Sequence, residues 1–228
     1  MTATGPGPAE PLRLVAGLGN PGPRYAATRH NAGRMAVELV ADRLGAGRPV
    51  ARFRGLLREG RGPAGPVALL LPETYMNDSG DSVGPAAGSL HAPPERVLVV
   101  HDEIDLPFGA VRGKVGGGHG GHNGLRSVAR GLGGGGFARV RIGVGRPPEG
   151  FRGDEADWVL MRFDEPREEV EALIARAADM IEAALGEGMQ AAIERFHAAP
   201  PGARARARQE RREARRAAPA AEAGGEGE

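Results

Sequence analysis

Apolar and polar positions along the chain alternate between two periods, one suited to strands and one to helices. Leu12 to Ala16 is an apolar run of the length of a short buried strand, and Gly17 to Pro23 follows it as a glycine- and proline-rich turn. From Asn31 to Leu44 the period changes. Met35, Ala36, Leu39, Val40 and Leu44 recur at three- and four-residue spacing, and Gly45 stops the helix they predict. Strands are expected at Val50 to Leu57 and Val67 to Leu71, joined as a hairpin through Gly60 to Pro66. A second helix is expected near Ser79 to Leu90. Pro93 and Pro94 then lead into a buried-type strand, Arg96 to His101, that ends in the acidic segment Asp102, Glu103, Asp105.

The second half continues the alternation with a short strand near Val111 to Val115, a glycine loop from Gly116 to Gly124, a helix near Leu125 to Leu132 and a strand from Ala138 to Gly145. The last third is helical. Pro166 reads as a first-turn proline, Val170, Leu173, Ile174, Ala177, Met180 and Ile181 mark one face of a helix from Glu168 to Leu185, and a final helix ends near His197. Strands alternating with helices predict the α/β class with a mixed sheet. No internal repeat interrupts the pattern.

Beyond Pro200 no apolar residue is larger than alanine, so a tail from 200 to 228 cannot offset its ordering entropy by burial and is expected to be disordered, as is an extension over residues 1–11. Seven arginines against two glutamates lie between Arg204 and Arg216. That run reads as a solvated tail, with contact to RNA phosphates as the alternative.

Composition narrows the picture. A chain of 228 residues, 40% hydrophobic and 26% charged, holds one large domain or two small ones. With no cysteine, thiol nucleophiles, disulfides, iron–sulfur clusters and cysteine zinc sites are excluded, and the chain suits a reducing cytosol. Met1 to Arg13 has no apolar core of a signal peptide, and the longest apolar runs are strand-sized, so the expectation is a cytoplasmic protein with no membrane contact. The formal charge is only +1, so any affinity for nucleic acid has to come from local clustering. Lys114 is the sole lysine among 30 basic residues, and the excess of Arg, Ala and Gly reads as compositional bias.

Four groups of residues offer candidate chemistry. Gly17, Gly19 and Gly22 form a G-x-G-x-x-G after a strand, as in a dinucleotide site, but Pro21 and Pro23 remove backbone donors where a pyrophosphate would need them. Gly80-Asp-Ser82-Val-Gly84 matches a nucleophile elbow. No strand directly precedes it, so Ser82 reads as part of a helix start, with a triad of Ser82, Asp102 and His119 or His122 as the rival enzyme reading. His119 and His122 invite a metal, yet no third ligand stands at a recognisable spacing, and no metal or cofactor is expected. The fourth group is dispersed: Asn20, His30 with Asn31, Asn77, Asp102 and Asn123 fall in turns or at element ends, where an open α/β sheet lines its ligand crevice. A neutral histidine beside a carboxylate can take a proton from water, and asparagine amides can hold a carbonyl or a developing oxyanion, which together describe hydrolysis of an activated ester or amide. Read singly, each of these residues is equally a turn-capping asparagine or a surface histidine.

The same residues stand in longer motifs: Gly17-Leu-Gly-Asn-Pro-Gly22 with Tyr25, Thr28-Arg-His-Asn-Ala-Gly33, Thr74-Tyr-Met-Asn77 with Ser79-Gly80, His101-Asp-Glu-Ile-Asp-Leu-Pro107, and Gly116-Gly-Gly-His-Gly-Gly-His-Asn-Gly124. In order and spacing they resemble the bacterial peptidyl-tRNA hydrolases, and Arg139-Val-Arg141-Ile-Gly143-Val-Gly145 continues the likeness over about Leu12 to His197. The resemblance implies one domain, at residues 12–199, folded as a monomeric three-layer α/β/α globule of phosphorylase/hydrolase type with a twisted mixed sheet flanked by helices. It implies cleavage of the ester between peptide and tRNA after stalled translation, without cofactor. Carried onto this chain, His30 is the general base, Asp102 orients its imidazole, and Asn20 helps distinguish a peptide amide from a free amino acid. Tyr25, Tyr75, Asn77 and Asn123 line the crevice for the peptide and the acceptor end, and Lys114 and Arg141 face RNA phosphates. Arg146 and Arg152 lie in a segment that departs from the family pattern and are further candidates for RNA contact. A non-catalytic RNA-binding relative, a cousin acting in another pathway such as splicing, and a serine esterase dependent on Ser82 remain the competing readings.

Overall fold

The computed structural model describes residues 11–197, so the tails expected at 1–11 and 200–228 fall, apart from Pro11, outside the described residues. Seven strands run in chain order as β1 (Leu14–Gly17), β2 (Val50–Arg52), β3 (Gly55–Gly62), β4 (Gly65–Pro72), β5 (Val97–Glu103), β6 (Val111–Val115) and β7 (Ala138–Gly143). Six helices accompany them: α1 (Ala32–Arg43), α2 (Gly80–Ser89), α3 (Asn123–Gly131), α4 (Glu155–Leu160), α5 (Arg167–Glu187) and α6 (Met189–His197). They form one sheet in the order β2-β3-β4-β1-β5-β7-β6. The four central strands β4, β1, β5 and β7 are parallel, while β3 and β6 flank them antiparallel and β2 pairs antiparallel with β3.

The central strands are apolar on both faces because helices cover both. Along β5, Leu98 and Val100 join the core beneath α1 and α5, with Val15, Leu69, Val140 and Ile142 from neighbouring strands. Val97 and Val99 join the opposite core beneath α2 and α3, with Leu14, Ala16 and Leu70. The mixed α/β sheet expected from the pattern and the three-layer α/β/α arrangement implied by the resemblance are therefore present, and strand alternation alone sends consecutive residues to opposite layers.

Several boundaries differ from the pattern. The run Val50 to Leu57 is two strands, because the chain turns at Phe53 and Arg54, both with positive φ (53° and 52°), a conformation their residue types do not advertise. The following turn is shorter than expected: β3 and β4 pair as far as Gly62 opposite Gly65, leaving only Pro63 and Ala64 outside the ladder. Asp102 and Glu103 do not lie beyond β5 but inside it, paired with Ile142 and Gly143 of β7. The short helix α4 carries no long apolar period and was not expected, although its start has a local signature: the Asp154 side chain accepts from the Asp157 N–H at 2.9 Å while the Asp157 side chain accepts from the Asp154 N–H at 3.2 Å.

Candidate active site

The parallel strands end on one side of the sheet, and the turns that follow them assemble the site. Helix α1 reaches it through a close approach to β5. A Cβ at Gly33 would collide with the Val100 carbonyl, and one at Gly17 would stand 2.7 Å from the Gly33 oxygen and 2.9 Å from Val37, so glycine at both positions lets strand and helix backbones touch. The 3₁₀ turn Arg29–Asn31 that opens α1 thereby sets His30 against the end of β5.

Asp102 is the centre of the arrangement. It is 2% exposed and receives two imidazoles: His30 Nδ1 lies 3.0 Å from both of its oxygens, and His122 Nε2 lies 3.0 Å from Oδ1. His122 caps α3, its Nδ1 accepting the Leu125 N–H at 3.3 Å, so its proton must sit on Nε2 and point to the carboxylate. An acceptor-only carboxylate in turn requires the proton of His30 on Nδ1, which leaves Nε2 of His30 with its lone pair. Burial raises the pKa of a carboxylate, but the two imidazoles outweigh it and hold Asp102 well below its usual range. For His30, burial alone would lower the pKa. The charge and hydrogen bond of Asp102 overcome this and raise it above 6.5.

The preceding residue completes a run of three rings. His101 is buried on the α3 side of β5, its Nδ1 donating to the Asp102 carbonyl at 2.6 Å, and its ring meets that of His122 edge-on at 4.9 Å. Burial, then the neighbouring His122, pushes its pKa down to about 3, and its Nε2 has no hydrogen-bond partner.

A cavity of about 230 Å³ opens over His30 and Asp102. One wall is the glycine loop and start of α3 (Gly120, Gly121, His122, Asn123), and the other is α4, which contributes Glu155, Ala156 and Val159.

Of the residues expected to act together, His30, Asp102 and Asn123 line this cavity. Asn20 is buried and is not among the residues lining the cavity; its main-chain N–H and C=O are both bound by the Asn31 amide at 2.9 and 3.0 Å, and its Oδ1 accepts the Met76 N–H at 2.8 Å. Its oxygen being committed, Asn20 has only its NH₂ group left to offer. Tyr75 (60% exposed) and Asn77 flank the buried Met76 on the surface, and the Asn77 amide donates to Asp78 at 3.3 Å. Tyr25 is half-buried in the turn after β1, beneath the Arg24 guanidinium. Lys114 is exposed with its ammonium end beside Gly117. Arg141 departs from the expectation of a cation open to RNA: it is held by Glu103, at 3.0 Å from Nε and 2.9 Å from Nη2. Arg146 is likewise engaged, with Asp105 and with Glu155, while Arg152 is exposed.

The competing constellations are not assembled. Ser82 is wholly buried in α2 and its hydroxyl has no partner, so it forms no triad with Asp102 and either histidine. His119 is exposed and accepts only the Gly121 N–H, at 3.2 Å. Ligand atoms of His30, Asp102 and His122 do lie within 4.8 Å of one another, as a metal would require. Their geometry fits hydrogen bonding instead: a cation bound at Nε2 of His122 would move that ring's proton to Nδ1, against the Leu125 N–H. Sequence reasoning placed His122 only in rival sites and missed α4 and Arg29. The capping pair Asp154/Asp157 before Trp158-Val-Leu160 was the available signal for α4.

A histidine held by a buried carboxylate beside an open cavity, at the carboxyl ends of parallel strands, defines a hydrolase-type site on an α/β sheet. The chain belongs to the peptidyl-tRNA hydrolase family, whose sequence profile matches residues 14–205. It is 49% identical over 192 residues to a peptidyl-tRNA hydrolase of Mycolicibacterium vanbaalenii, covering 83% of this chain and 98% of that one. To one of Sorangium cellulosum it is 47% identical over 195 residues, covering 85% and 87%. Among solved structures, the peptidyl-tRNA hydrolase of Acinetobacter baumannii is 39% identical with a TM-score of 0.74, over 82% of this chain and 95% of that one.

Proposed function

We propose that this peptidyl-tRNA hydrolase cleaves the ester between peptide and terminal ribose by direct attack of water, with His30 as general base and no covalent intermediate. The observation that carries the reading is the pairing of His30 Nδ1 with both oxygens of buried Asp102, which reserves Nε2 as a proton acceptor. Nε2 takes one proton as the water oxygen bonds to the ester carbonyl carbon. The tetrahedral oxyanion then expels the ribose oxygen, which receives that proton, and the products are the peptide acid and tRNA. A pKa raised above 6.5 suits a base working near neutrality, and an ester is reactive enough to need only a placed water, a base and oxyanion donors.

The NH₂ groups of Asn20 and Asn123 are the proposed donors to the peptide and reacting carbonyls, and the positive end of α3 borders the same cavity. Tyr25, Tyr75 and Asn77 extend the crevice for peptide and acceptor end, and Lys114 meets phosphate. Arg141 reaches phosphate only by exchanging Glu103 for it. The reading further takes residues 12–199 as one monomeric domain working in the cytoplasm without cofactor. Among the described residues no helix is long and apolar enough to cross a membrane.

The test is release of N-acetyl-amino acid from N-acetyl-aminoacyl-tRNA, beside the unblocked aminoacyl-tRNA, by wild type and His30→Ala with EDTA present. Cleavage of the blocked ester alone, indifferent to chelator and about 100-fold or more slower in the variant, is the expected result. A variant within about threefold of wild type removes His30 from the role of base.

A further inference from the structure

The residue before His30 is the largest wholly buried side chain among the described residues, and it is charged. Arg29 is 0% exposed, and every partner of its guanidinium comes from residues 158–165. Nη1 donates to the Arg162 carbonyl, and Nη2 donates to Asp164 and, at 3.0 Å, to Glu165. The guanidinium carbon stands 3.9 Å from the centroid of Trp158 and 5.4 Å from that of Phe163. The main chain repeats the link, since the Arg29 N–H donates to the Met161 carbonyl at 3.0 Å and Thr28 bridges to Arg162. Removing a guanidinium from water is costly, and Arg29 Nε has no partner at all, so core packing does not account for a charge at this position. The segment it grips begins in α4, whose Glu155, Ala156 and Val159 form the cavity wall facing His30.

We infer that Arg29 is a positioning residue: it seats α4 against the turn that carries His30, so that cavity wall and base keep a fixed spacing around the substrate. The inference rests on the reading of this cavity as the place of ester hydrolysis. Lysine supplies a single point charge and cannot both fork between acceptors and stack on an indole, so its substitution separates charge from geometry.

Trp158 is the only tryptophan, so its fluorescence reports the seat directly. Acrylamide quenching and steady-state hydrolysis of N-acetyl-aminoacyl-tRNA are measured on full-length wild type, Arg29→Lys and Arg29→Met. The expected result for Arg29→Met is KM raised about tenfold with kcat changed less than about threefold, and Trp158 quenched about twice as readily, Arg29→Lys lying between. Glu165→Gln removes a carboxylate charge from the other side of the clamp and shifts both readouts the same way by less, which keeps the test open if Arg29→Met does not fold. Folded variants with wild-type KM overturn the inference, as does a raised KM with Trp158 quenched as in wild type. A wild type inactive on the ester refutes the site reading instead, while the quenching arm still decides whether Arg29 seats α4.

Discussion

The two walls of the cavity are each held by one buried arginine, and the two are held by different means. The α4 wall is gripped mainly through side chains, since Arg29 meets two carboxylates and an indole beside the single Arg162 carbonyl. The glycine-loop wall is gripped through main chain: Arg139, 3% exposed on β7, donates from Nη1 to the Gly118 carbonyl and from Nη2 to that of Gly117, both at 2.6 Å, and stacks on Phe137. Burial and then the charge of Arg141 lower the pKa of Arg139, and no carboxylate is among its hydrogen-bond partners. The cause lies in the loop. Gly116, Gly117, Gly120 and Gly121 all have positive φ, which calls for glycine, and glycine leaves no side chain to anchor. A segment whose shape excludes side chains can still be ordered, provided a planar donor reaches its carbonyls.

Asp102 stands between the walls, bonded to the start of α1 on one side and to His122 of the loop wall on the other, and its loss should have the largest effect. In Asp102→Asn the amide oxygen can keep His122, but its NH₂ then faces Nδ1 of His30 and moves the His30 proton to Nε2, the wrong tautomer for a base. Turnover should fall about 100-fold or more. Because Asp102 raises the His30 pKa, activity of wild type should climb with pH through a midpoint above 6.5, and in Asp102→Asn the residual activity should have its acid limb displaced to lower pH. A pH–rate profile of both proteins checks the sign, and an unmoved limb would detach His30 from the observed ionisation.

Acid should unsettle the loop wall, through His101 beneath His122. An unfolded His101 binds a proton below about 6.5 whereas the folded one resists until about 3, so in that window stability falls as pH falls, by about 1.4 kcal/mol per unit. His30 acts in the opposite sense but not in this window: its raised pKa adds stability that is complete below 6.5 and lost as pH rises through the folded value. Urea titrations at pH 6.5, 5.5 and 4.5 should show the decline in wild type and a shallower one in His101→Asn.

The two anchors should also differ in what lysine can rescue. Arg139→Lys cannot span two carbonyls and should raise KM about tenfold, close to Arg139→Met, whereas Arg29→Lys retains carboxylate partners and should raise KM clearly less than Arg29→Met. Equal rescue at both positions would erase the distinction. The smallest effect is expected at α4 itself, where Asp154→Ala removes the N-cap and should cost about 1 kcal/mol in denaturant titration with little change in kcat.

Much of this was legible in the order of residues and some was not. The periods of α1 and α5, the two-faced apolar runs of β5 and the long motifs around His30 and Asp102 are local or serial signals, and they lead to the three-layer fold and to the right region of it. The turn at Phe53 and Arg54 was illegible because neither residue type prefers positive φ. Helix α4 was too short to show a period, and the pairing of Arg141 with Glu103 was illegible because the two lie 38 positions apart.

The sequence by itself determined the alternation of elements, the apolar faces, the absence of thiol chemistry and the family. The tertiary structure alone decided that His122 joins His30 on one carboxylate, that Ser82 is sealed away from both histidines, and that Arg29 spends its charge on residues 158–165. Periodicity records which face of an element is buried, since burial repeats with the backbone. A hydrogen bond between groups 72 or 135 residues apart repeats nothing, and only the folded chain brings the two ends of it together.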